Sequence, residues 1–290
     1  WNLRREALRV TSTNQTSPHL DDYEVVLVGC GKMGSALAGG LVASGAISSG
    51  DLICIDADER RAAELASELD AVEDPVERTD ETPRIWVFAV KPEDIADALS
   101  ERRTGFTAED VVVSIAAGVT LDQISEHAGQ TPMLVRAMPN TPALVRHGVT
   151  GVLGDEDVPL EPVVELFEAV GETVVLERES DFDAVTALSG SGPAYVFAAL
   201  EALADGGVLM GLSRETARTL ALETLRGSAA LVARQNHMHT AELKDSVASP
   251  GGTTIAGLAE LERSGFRSTL IEAVRTAAER SKEMGESTED

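Results

Sequence analysis

The feature that most constrains the fold is a glycine-rich turn placed directly between a strand and a helix. The run Val25–Val28 is continuously apolar, which is typical of a strand buried on both faces. It leads into Gly-Cys-Gly-Lys-Met-Gly at 29–34, and helix-forming residues follow from Ser35. In such a G-x-G-x-x-G turn the glycines permit a tight bend, close approach of a pyrophosphate and close helix–strand packing. The pattern predicts a Rossmann-type dinucleotide-binding unit; a glycine-rich turn without a ligand is the alternative.

Further strand-like runs indicate a doubly wound α/β sheet. Each is nearly continuous in apolar character and is followed by an amphipathic stretch: Leu52–Ile55, Ile85–Val90, Val111–Ile115 and Met133–Arg136. Edge strands are predicted at 149–153 and 173–176, with a helix over 159–170 between them.

After about residue 178 the extended β runs vanish and helical spacing takes over. Long helices are predicted over Pro193–Leu209, Ser213–Ala233 with Ser213 as N-cap, and Gly265–Met284. Helices this apolar would leave apolar faces exposed in a monomer, so we expect them to pack against a second copy. The predicted domains are a flexible arm at 1–22, a dinucleotide-binding Rossmann domain at 23–178, an all-α substrate-binding and dimerisation domain at 179–284 and an acidic tail at 285–290.

Composition narrows the classes of partner and compartment. With 24 cationic against 49 acidic residues the net charge is −25, which disfavours nucleic acid as a partner. No apolar run approaches a membrane span and no signal peptide is visible. The only cysteines, Cys30 and Cys54, cannot form a disulfide framework, so we expect a cytoplasmic protein. Four lysines against twenty arginines in so acidic a chain predict adaptation to high salt, with an ordinary acidic enzyme as the alternative.

Two neighbouring features bear on the choice of cofactor. Asp56 closes the second strand, where a carboxylate can accept hydrogen bonds from both ribose hydroxyls and so favours NADH. Arg60 and Arg61 follow closely enough to attract a 2′-phosphate, which favours NADPH. A solvated strand end or helix cap is the alternative for Asp56, and a solvated helix face the alternative for the arginines.

A second unusual cluster, Ser-Pro-Gly-Gly-Thr-Thr at 249–254, joins two helical stretches, and a new helix is predicted to begin at or near Thr254. Consecutive backbone N–H groups at a helix start, with hydroxyls beside them, form a small anion cradle that suits a substrate carboxylate. A plain turn capped by Thr253 is the alternative.

Together with these two clusters, four further motifs make the chain resemble the pyrroline-5-carboxylate reductase family. In chain order the six are GCGKMG at 29–34, AVKP at 89–92, SIAAGV at 114–119, RAMPNTP at 136–142, ALSGSGPAY at 187–195 and LKDSVASPGGTTI at 243–255. They follow the family's order and spacing from about Tyr23 to Lys282.

The resemblance implies reduction of L-1-pyrroline-5-carboxylate to L-proline, the last step of proline biosynthesis, by hydride transfer from NADPH or NADH to C5 of the imine. It implies that the Thr254 hydroxyl contacts the ring nitrogen and that N–H groups of Gly252 to Thr254 bind the carboxylate. The substrate site then comprises Ser249, Gly251, Gly252, Thr253 and Thr254. The cofactor site comprises Gly29, Gly31, Lys32, Met33, Gly34, Asp56, Ala89, Val90, Lys91, Pro92 and Asn140.

The resemblance also implies a homodimer through the helical domain, assembling further in some relatives into a decamer. Relatives commonly carry serine or asparagine at the position of Asp56 and use NADPH, so the local chemistry and the family disagree on the cofactor. Lys91 has a second interpretation, pairing with a neighbouring carboxylate. His237 and His239 point apart on a helix end, so no metal site is predicted.

Two rival interpretations stay open. Another two-domain Rossmann dehydrogenase or imine reductase would share the glycine turn, but β-hydroxyacid-type dehydrogenases carry a catalytic lysine on the first helix of the helical domain. The helix from Pro193 has none. A non-enzymatic dinucleotide sensor would be favoured by an altered loop at 249–254, and that loop is complete.

Overall fold

The computed structural model describes residues 18–73, 82–156 and 158–286. The chain divides into two compact units. The sheet unit comprises the chain up to Ala116, Leu121–Ala137 and Ala143–Val175. The helical unit comprises Ala117–Thr120, Met138–Pro142 and everything from Leu176 onward. Two short segments that follow sheet strands therefore group with the C-terminal helices.

Within the described residues the sheet has eight strands in the order β3-β2-β1-β4-β5-β6-β7-β8. The strands are β1 (Glu24–Val28), β2 (Leu52–Ile55), β3 (Val72–Glu73), β4 (Arg84–Phe88), β5 (Val111–Ser114), β6 (Met133–Met138), β7 (Gly148–Gly154) and β8 (Gly171–Val175). Pairing is parallel from β3 through β6 and again between β7 and β8. The first six strands follow the doubly wound order, so the predicted fold class is confirmed.

Helices cover the sheet because its central strands are apolar on both faces. They are α1 (Lys32–Ser44), α2 (Glu59–Leu69), α3 (Ile95–Arg102), α4 (Leu121–Ala128) and α5 (Glu161–Glu168). Val113, Ile85 and Leu52 are each 0% exposed, which places the core at the centre of the sheet.

Three details of the sheet differ from the sequence prediction. β7 was expected at an edge but lies between β6 and β8, and the burial of Thr150 and Val152 agrees with this inner position. β4 ends at Phe88 rather than Val90, because both neighbouring strands end level with it: Phe88 pairs with Val28, the last residue of β1, and with Ser114, the last residue of β5. The short β3 was not predicted, since its two residues are exposed and carry no apolar pattern.

The helical unit begins with α6 (Asp181–Val185) and a π-helical turn at Thr186–Gly190. It continues with α7 (Gly192–Leu209), α8 (Arg214–Arg234), α9 (Thr240–Ser246), α10 (Thr253–Arg263) and α11 (Phe266–Glu286). The three predicted long helices are confirmed as α7, α8 and α11. Ser213 caps α8 as predicted, its Oγ accepting a hydrogen bond from the Thr216 N–H at 3.1 Å.

The predicted terminal segments differ from the structure where the structure describes them. Leu20 of the expected arm is 2% exposed and packs into the sheet core, so the arm is anchored before β1. At the other end α11 continues through Gly285 and Glu286. Residues 1–17 and 287–290 lie outside the described residues.

Candidate active site

The glycine turn is folded so tightly that two of its positions exclude any side chain. Gly29 has a φ of +103°, and a Cβ there would lie 2.8 Å from the backbone C and O of Ala89. A Cβ on Gly34 would lie 2.0 Å from the Gly29 carbonyl oxygen. The Gly29 N–H donates to the Ile55 carbonyl at 2.8 Å. The turn therefore brings Gly29, Gly34 and Ala89 together, as predicted for the first glycine turn of a Rossmann sheet.

Gly31 is different, because a Cβ there would have no atom within 4 Å. It precedes α1 as its N-cap and offers no side chain to cap the helix. Open space over uncapped N–H groups at a helix start suits a phosphate. The turn faces an open groove of about 680 Å³ lined by Cys30, Gly31, Lys32, Ser35, Ala36, Arg61 and Leu144.

Asp56 holds the glycine turn itself. One carboxylate oxygen accepts the Cys30 N–H at 2.7 Å, and the other accepts the Asp58 N–H at 2.9 Å. Both oxygens therefore bind backbone donors, whereas the sequence predicted ribose hydroxyls as their donors. The carboxylate fixes the end of β2 to the turn after β1, a role that the sequence analysis missed.

The two arginines of α2 have different surroundings. Arg61 lines the groove, with its Nε 3.5 Å from Asp58 Oδ2. Arg60 lies 3.9 Å from the same carboxylate and 4.0 Å from Glu64, and it is not among the residues lining the groove. Adjacent residues on a helix point about 100° apart. Arg61 is thus the arginine placed to meet a ligand at the glycine turn.

The remaining predicted cofactor residues of the sheet unit differ in their surroundings: some contact the glycine turn and others do not. Ala89 contacts the glycine turn, and Val90 lies 3.0 Å from where a Gly29 Cβ would be. Lys91 precedes the short 3-10 turn that begins at Pro92, and its Nζ lies 3.5 Å from Glu93. Met33 packs against the hydrophobic core. Lys91 therefore pairs with a neighbouring carboxylate, as its second interpretation expected.

The predicted substrate loop belongs to the helical unit. Gly251 has a φ of +69°, and the Gly252 N–H donates to the Ser249 carbonyl at 3.0 Å, closing a tight turn. α10 follows with Gly252 as N-cap and without a side-chain cap from the described residues. The cap is therefore not Thr253. Because Gly252 uses its N–H inside the turn, the N–H groups offered to an anion are those of Thr253, Thr254 and Ile255.

Asn140 is also in the helical unit, and it is 8% exposed. Its Nδ2 donates to the Ser189 carbonyl in the π-helical turn at 3.1 Å. The family resemblance put Asn140 in the cofactor site and gave no indication of this partner. The signal lay in the two motifs RAMPNTP and ALSGSGPAY, which were treated separately.

Other chemistry is sparse in the part of the chain that the structure describes. No group of three or more His, Cys, Asp or Glu side chains is placed to hold a metal ion. None of the described helices combines the length and apolarity needed to cross a membrane. Cys30 and Cys54 are buried and free, and contact with the Cys54 thiol together with burial raises the pKa of Cys30.

Comparison with known proteins assigns both halves of the chain. Residues 179–284 match the family model described as pyrroline-5-carboxylate reductase dimerisation. Residues 24–118 match the model described as NADP oxidoreductase, coenzyme F420-dependent. A pyrroline-5-carboxylate reductase of Arabidopsis thaliana is 42% identical over 278 residues, covering 92% of this chain and 97% of that protein. The chain belongs to the pyrroline-5-carboxylate reductase family.

Solved structures of pyrroline-5-carboxylate reductases share the whole architecture. That from Coxiella burnetii superposes with a TM-score of 0.84 at 30% identity, covering 91% of this chain and 99% of the other. That from Plasmodium falciparum, solved with NADP bound, gives 0.74 at 31% identity with the same coverage. The glycine turn lies within the family match at residues 24–118, and the loop at 249–254 lies within the match at residues 179–284.

Proposed function

We propose that this chain is a pyrroline-5-carboxylate reductase, which reduces L-1-pyrroline-5-carboxylate to L-proline with NADPH or NADH, the last step of proline biosynthesis. Family membership over 92% of the chain carries the proposal. The local structure supports it, because the glycine turn and the loop at 249–254 are both complete.

In this proposal the start of α10 holds the substrate carboxylate. The N–H groups of Thr253, Thr254 and Ile255 point out of an uncapped helix end, where the helix dipole favours an anion. Gly251 provides the positive φ that the preceding turn needs, and Ser249 closes that turn by accepting the Gly252 N–H.

In this proposal the Thr254 hydroxyl donates to the ring nitrogen of a substrate held by its carboxylate. A bound reduced nicotinamide supplies the hydride that adds to C5. Addition at C5 moves the C=N electron pair onto nitrogen, so a donor at nitrogen stabilises the transition state. A threonine hydroxyl is a weak acid, so we assign Thr254 to hydrogen bonding and let solvent or an already protonated iminium supply the proton.

The test follows oxidation of reduced nicotinamide by purified protein with pyrroline-5-carboxylate. Thr254→Ala is expected to lose about 2–4 kcal/mol of transition-state stabilisation, by analogy with removal of an oxyanion donor. Thr240→Ala is the matched control, since Thr240 also begins a helix, α9, but lies outside the proposed site. Wild-type turnover in Thr254→Ala would reject its role. Dinucleotide binding without any turnover would instead favour another imine or carbonyl substrate, or a sensor.

Arg61 directs the cofactor choice towards NADPH. It lines the groove at the glycine turn, whereas Asp56 already accepts two backbone N–H groups. A guanidinium binds a phosphate through charge-assisted hydrogen bonds. We expect Arg61→Ala to lower kcat/KM for NADPH by about tenfold and to leave NADH nearly unchanged. Arg60→Ala is the matched control, and an equal loss in both variants, or faster turnover with NADH in the wild type, would contradict the assignment.

We further propose a homodimer through the helical unit, with association into a decamer as the larger alternative, acting in the cytoplasm without nucleic-acid or membrane partners. The match of residues 179–284 to a dimerisation family supports the dimer. Light scattering after size-exclusion chromatography measures the mass. A monomer at micromolar concentration would contradict the proposal.

Adaptation to high salt is proposed from the charge. The net charge of −25 produces self-repulsion that salt screens. Exposed arginines pair with nearby carboxylates along the helices, as in Arg226–Glu223 and Arg280–Glu283, but such pairs add little stability and are themselves screened. The melting temperature should therefore rise from low to molar KCl, and a flat profile would refute the proposal.

A further inference from the structure

The π-helical turn Thr186–Gly190, just before α7, contains a backbone carbonyl that no helical N–H satisfies. In an α-helix the Ser189 carbonyl would accept from the N–H of residue 193, and in a π-helix from that of residue 194. Residue 193 is proline, which has no N–H. The Ala194 N–H donates instead to the Ser191 carbonyl at 3.0 Å. Neither helical donor therefore reaches Ser189.

Asn140 supplies a donor from another part of the chain. Its Nδ2 lies 3.1 Å from the Ser189 carbonyl oxygen, and the residue is 8% exposed. Met138, two residues before Asn140, packs closely against the π-helical turn, since its Cε lies 3.0 Å from where a Gly190 Cβ would be. The π-helical geometry itself is fixed by the Ser191 N–H, which donates to the Thr186 carbonyl at 2.8 Å.

We propose that Asn140 is a positioning residue: its side-chain amide replaces the backbone N–H that Pro193 lacks, and so fixes the segment Met138–Pro142 against the π-helical turn that precedes α7. This segment begins at the carboxyl end of β6. Ligands of doubly wound sheets bind at the carboxyl ends of the strands. Asn140 therefore acts on the reaction by holding a segment at that edge, through Ser189, and not as a group that touches the cofactor.

The replacement can be tested because the missing donor can be restored. Pro193→Ala returns an N–H at residue 193, so the Ser189 carbonyl would no longer depend on Asn140. Four proteins form a double-mutant cycle: the wild type, Asn140→Ala, Pro193→Ala and the double variant. Pro162→Ala is the matched control, since Pro162 likewise lies in the first turn of a helix, α5, and has no link to Asn140.

Asn140→Ala alone leaves the part-buried Ser189 carbonyl without its amide donor. We expect its melting temperature to fall by about 3–6 °C and kcat to fall about tenfold. The dinucleotide Kd should change by less than about threefold, because the amide does not touch the cofactor. Pro193→Ala alone should change kcat by less than about threefold.

The proposal depends on whether Pro193→Ala rescues the Asn140→Ala variant. Adding Pro193→Ala to Asn140→Ala should recover most of the lost kcat and melting temperature, whereas Pro162→Ala should recover neither. Additive losses in the double variant would overturn the proposal. A large rise in the dinucleotide Kd of Asn140→Ala that Pro193→Ala does not reverse would also overturn it, because Asn140 would then be a cofactor contact. Asn140→Ser replaces Asn140→Ala in the cycle if the alanine variant does not fold.

The measurements of kcat rest on the proposed reductase activity, whereas the measurements of melting temperature do not. Absence of turnover in the wild type would refute the proposed function while leaving the thermal cycle to decide the role of Asn140. Thermal additivity with an active wild type would refute the role of Asn140 alone.

Discussion

The two units of the molecule bury their apolar residues very differently. In the sheet unit the central strands are almost fully buried, with Val112 and Phe88 at 0% exposure. In the helical unit α7 buries only Ala204 among its eighteen residues. Large apolar side chains there are open to solvent in the single chain, including Phe197 at 62% and Leu209 at 84%.

The two units differ in whether their apolar side chains are buried by the same chain or left exposed in it. The sheet unit encloses its own apolar surface, because helices from the same chain cover its strands. The helical unit leaves large apolar side chains exposed on several helices, as surfaces that bind another chain do. Its match to a dimerisation family is consistent with that interpretation. The helical unit is thus expected to complete its core only in the assembly.

The largest expected effect comes from placing a charge on each kind of surface. Phe197→Asp puts a carboxylate on the apolar face of α7, and in a symmetric dimer both copies carry it. Burying an unpaired carboxylate costs about 3 kcal/mol or more per site, so the assembly should dissociate. Light scattering would show the loss of mass.

The control places the same charge on the sheet unit. Val174 in β8 is 50% exposed, much as Phe197 is, but it lies outside residues 179–284, which match the dimerisation family, so Val174→Asp should keep the oligomer intact. If the Phe197→Asp protein kept the mass of the wild-type oligomer, or if both variants dissociated alike, the contrast between the two units would not hold.

The sequence reveals a fold best where a pattern repeats locally. Continuous apolar runs predicted β1, β2 and β5, and helical spacing predicted α7, α8 and α11 to within two residues at their ends. The glycine turn was predictable because a single short segment contains the strand, the turn and the helix start. None of these inferences needed knowledge of a distant residue.

The rest depended on residues far apart in the chain. Asp56 binds the N–H of Cys30, and Asn140 binds the carbonyl of Ser189, so each partner becomes visible only after folding. Arg60 and Arg61 are chemically identical neighbours, and only the orientation of α2 decides which one lines the groove. Sequence alone therefore predicts which segments form the candidate site, but not which partners its polar side chains bind.

A second, smaller effect contrasts two glycines of α1 within the sheet unit. Gly34→Ala would bring a Cβ to 2.0 Å from the Gly29 carbonyl, whereas Gly39→Ala would meet no atom within 4 Å. We expect Gly34→Ala to lower stability by about 3 kcal/mol and Gly39→Ala to raise it by about 0.5–1 kcal/mol. Thermal unfolding by circular dichroism measures both. A harmless Gly34→Ala would mean that the turn relaxes and that the sheet unit is less tightly packed than described.

The smallest expected effect is a pH-dependent contact that anchors the start of the sheet unit. His19 Nδ1 lies 2.9 Å from Glu165 on α5, and this hydrogen bond and charge raise the pKa of His19 above its usual 6.5. Burial raises the pKa of Glu165, but the Leu20 N–H and His19 outweigh it and hold that pKa below the usual 4.5.

A raised histidine pKa adds stability that is fully present below 6.5 and lost as the pH rises through the folded pKa. His19→Ala should therefore lower the melting temperature slightly at about pH 5.5 and not at about pH 9, with His147→Ala as an exposed control that changes neither. Molar salt should shrink the difference at the lower pH, because the pair is exposed and screened. A loss that is equal at both pH values would show that His19 anchors the chain by packing, as the buried Leu20 does, rather than by charge.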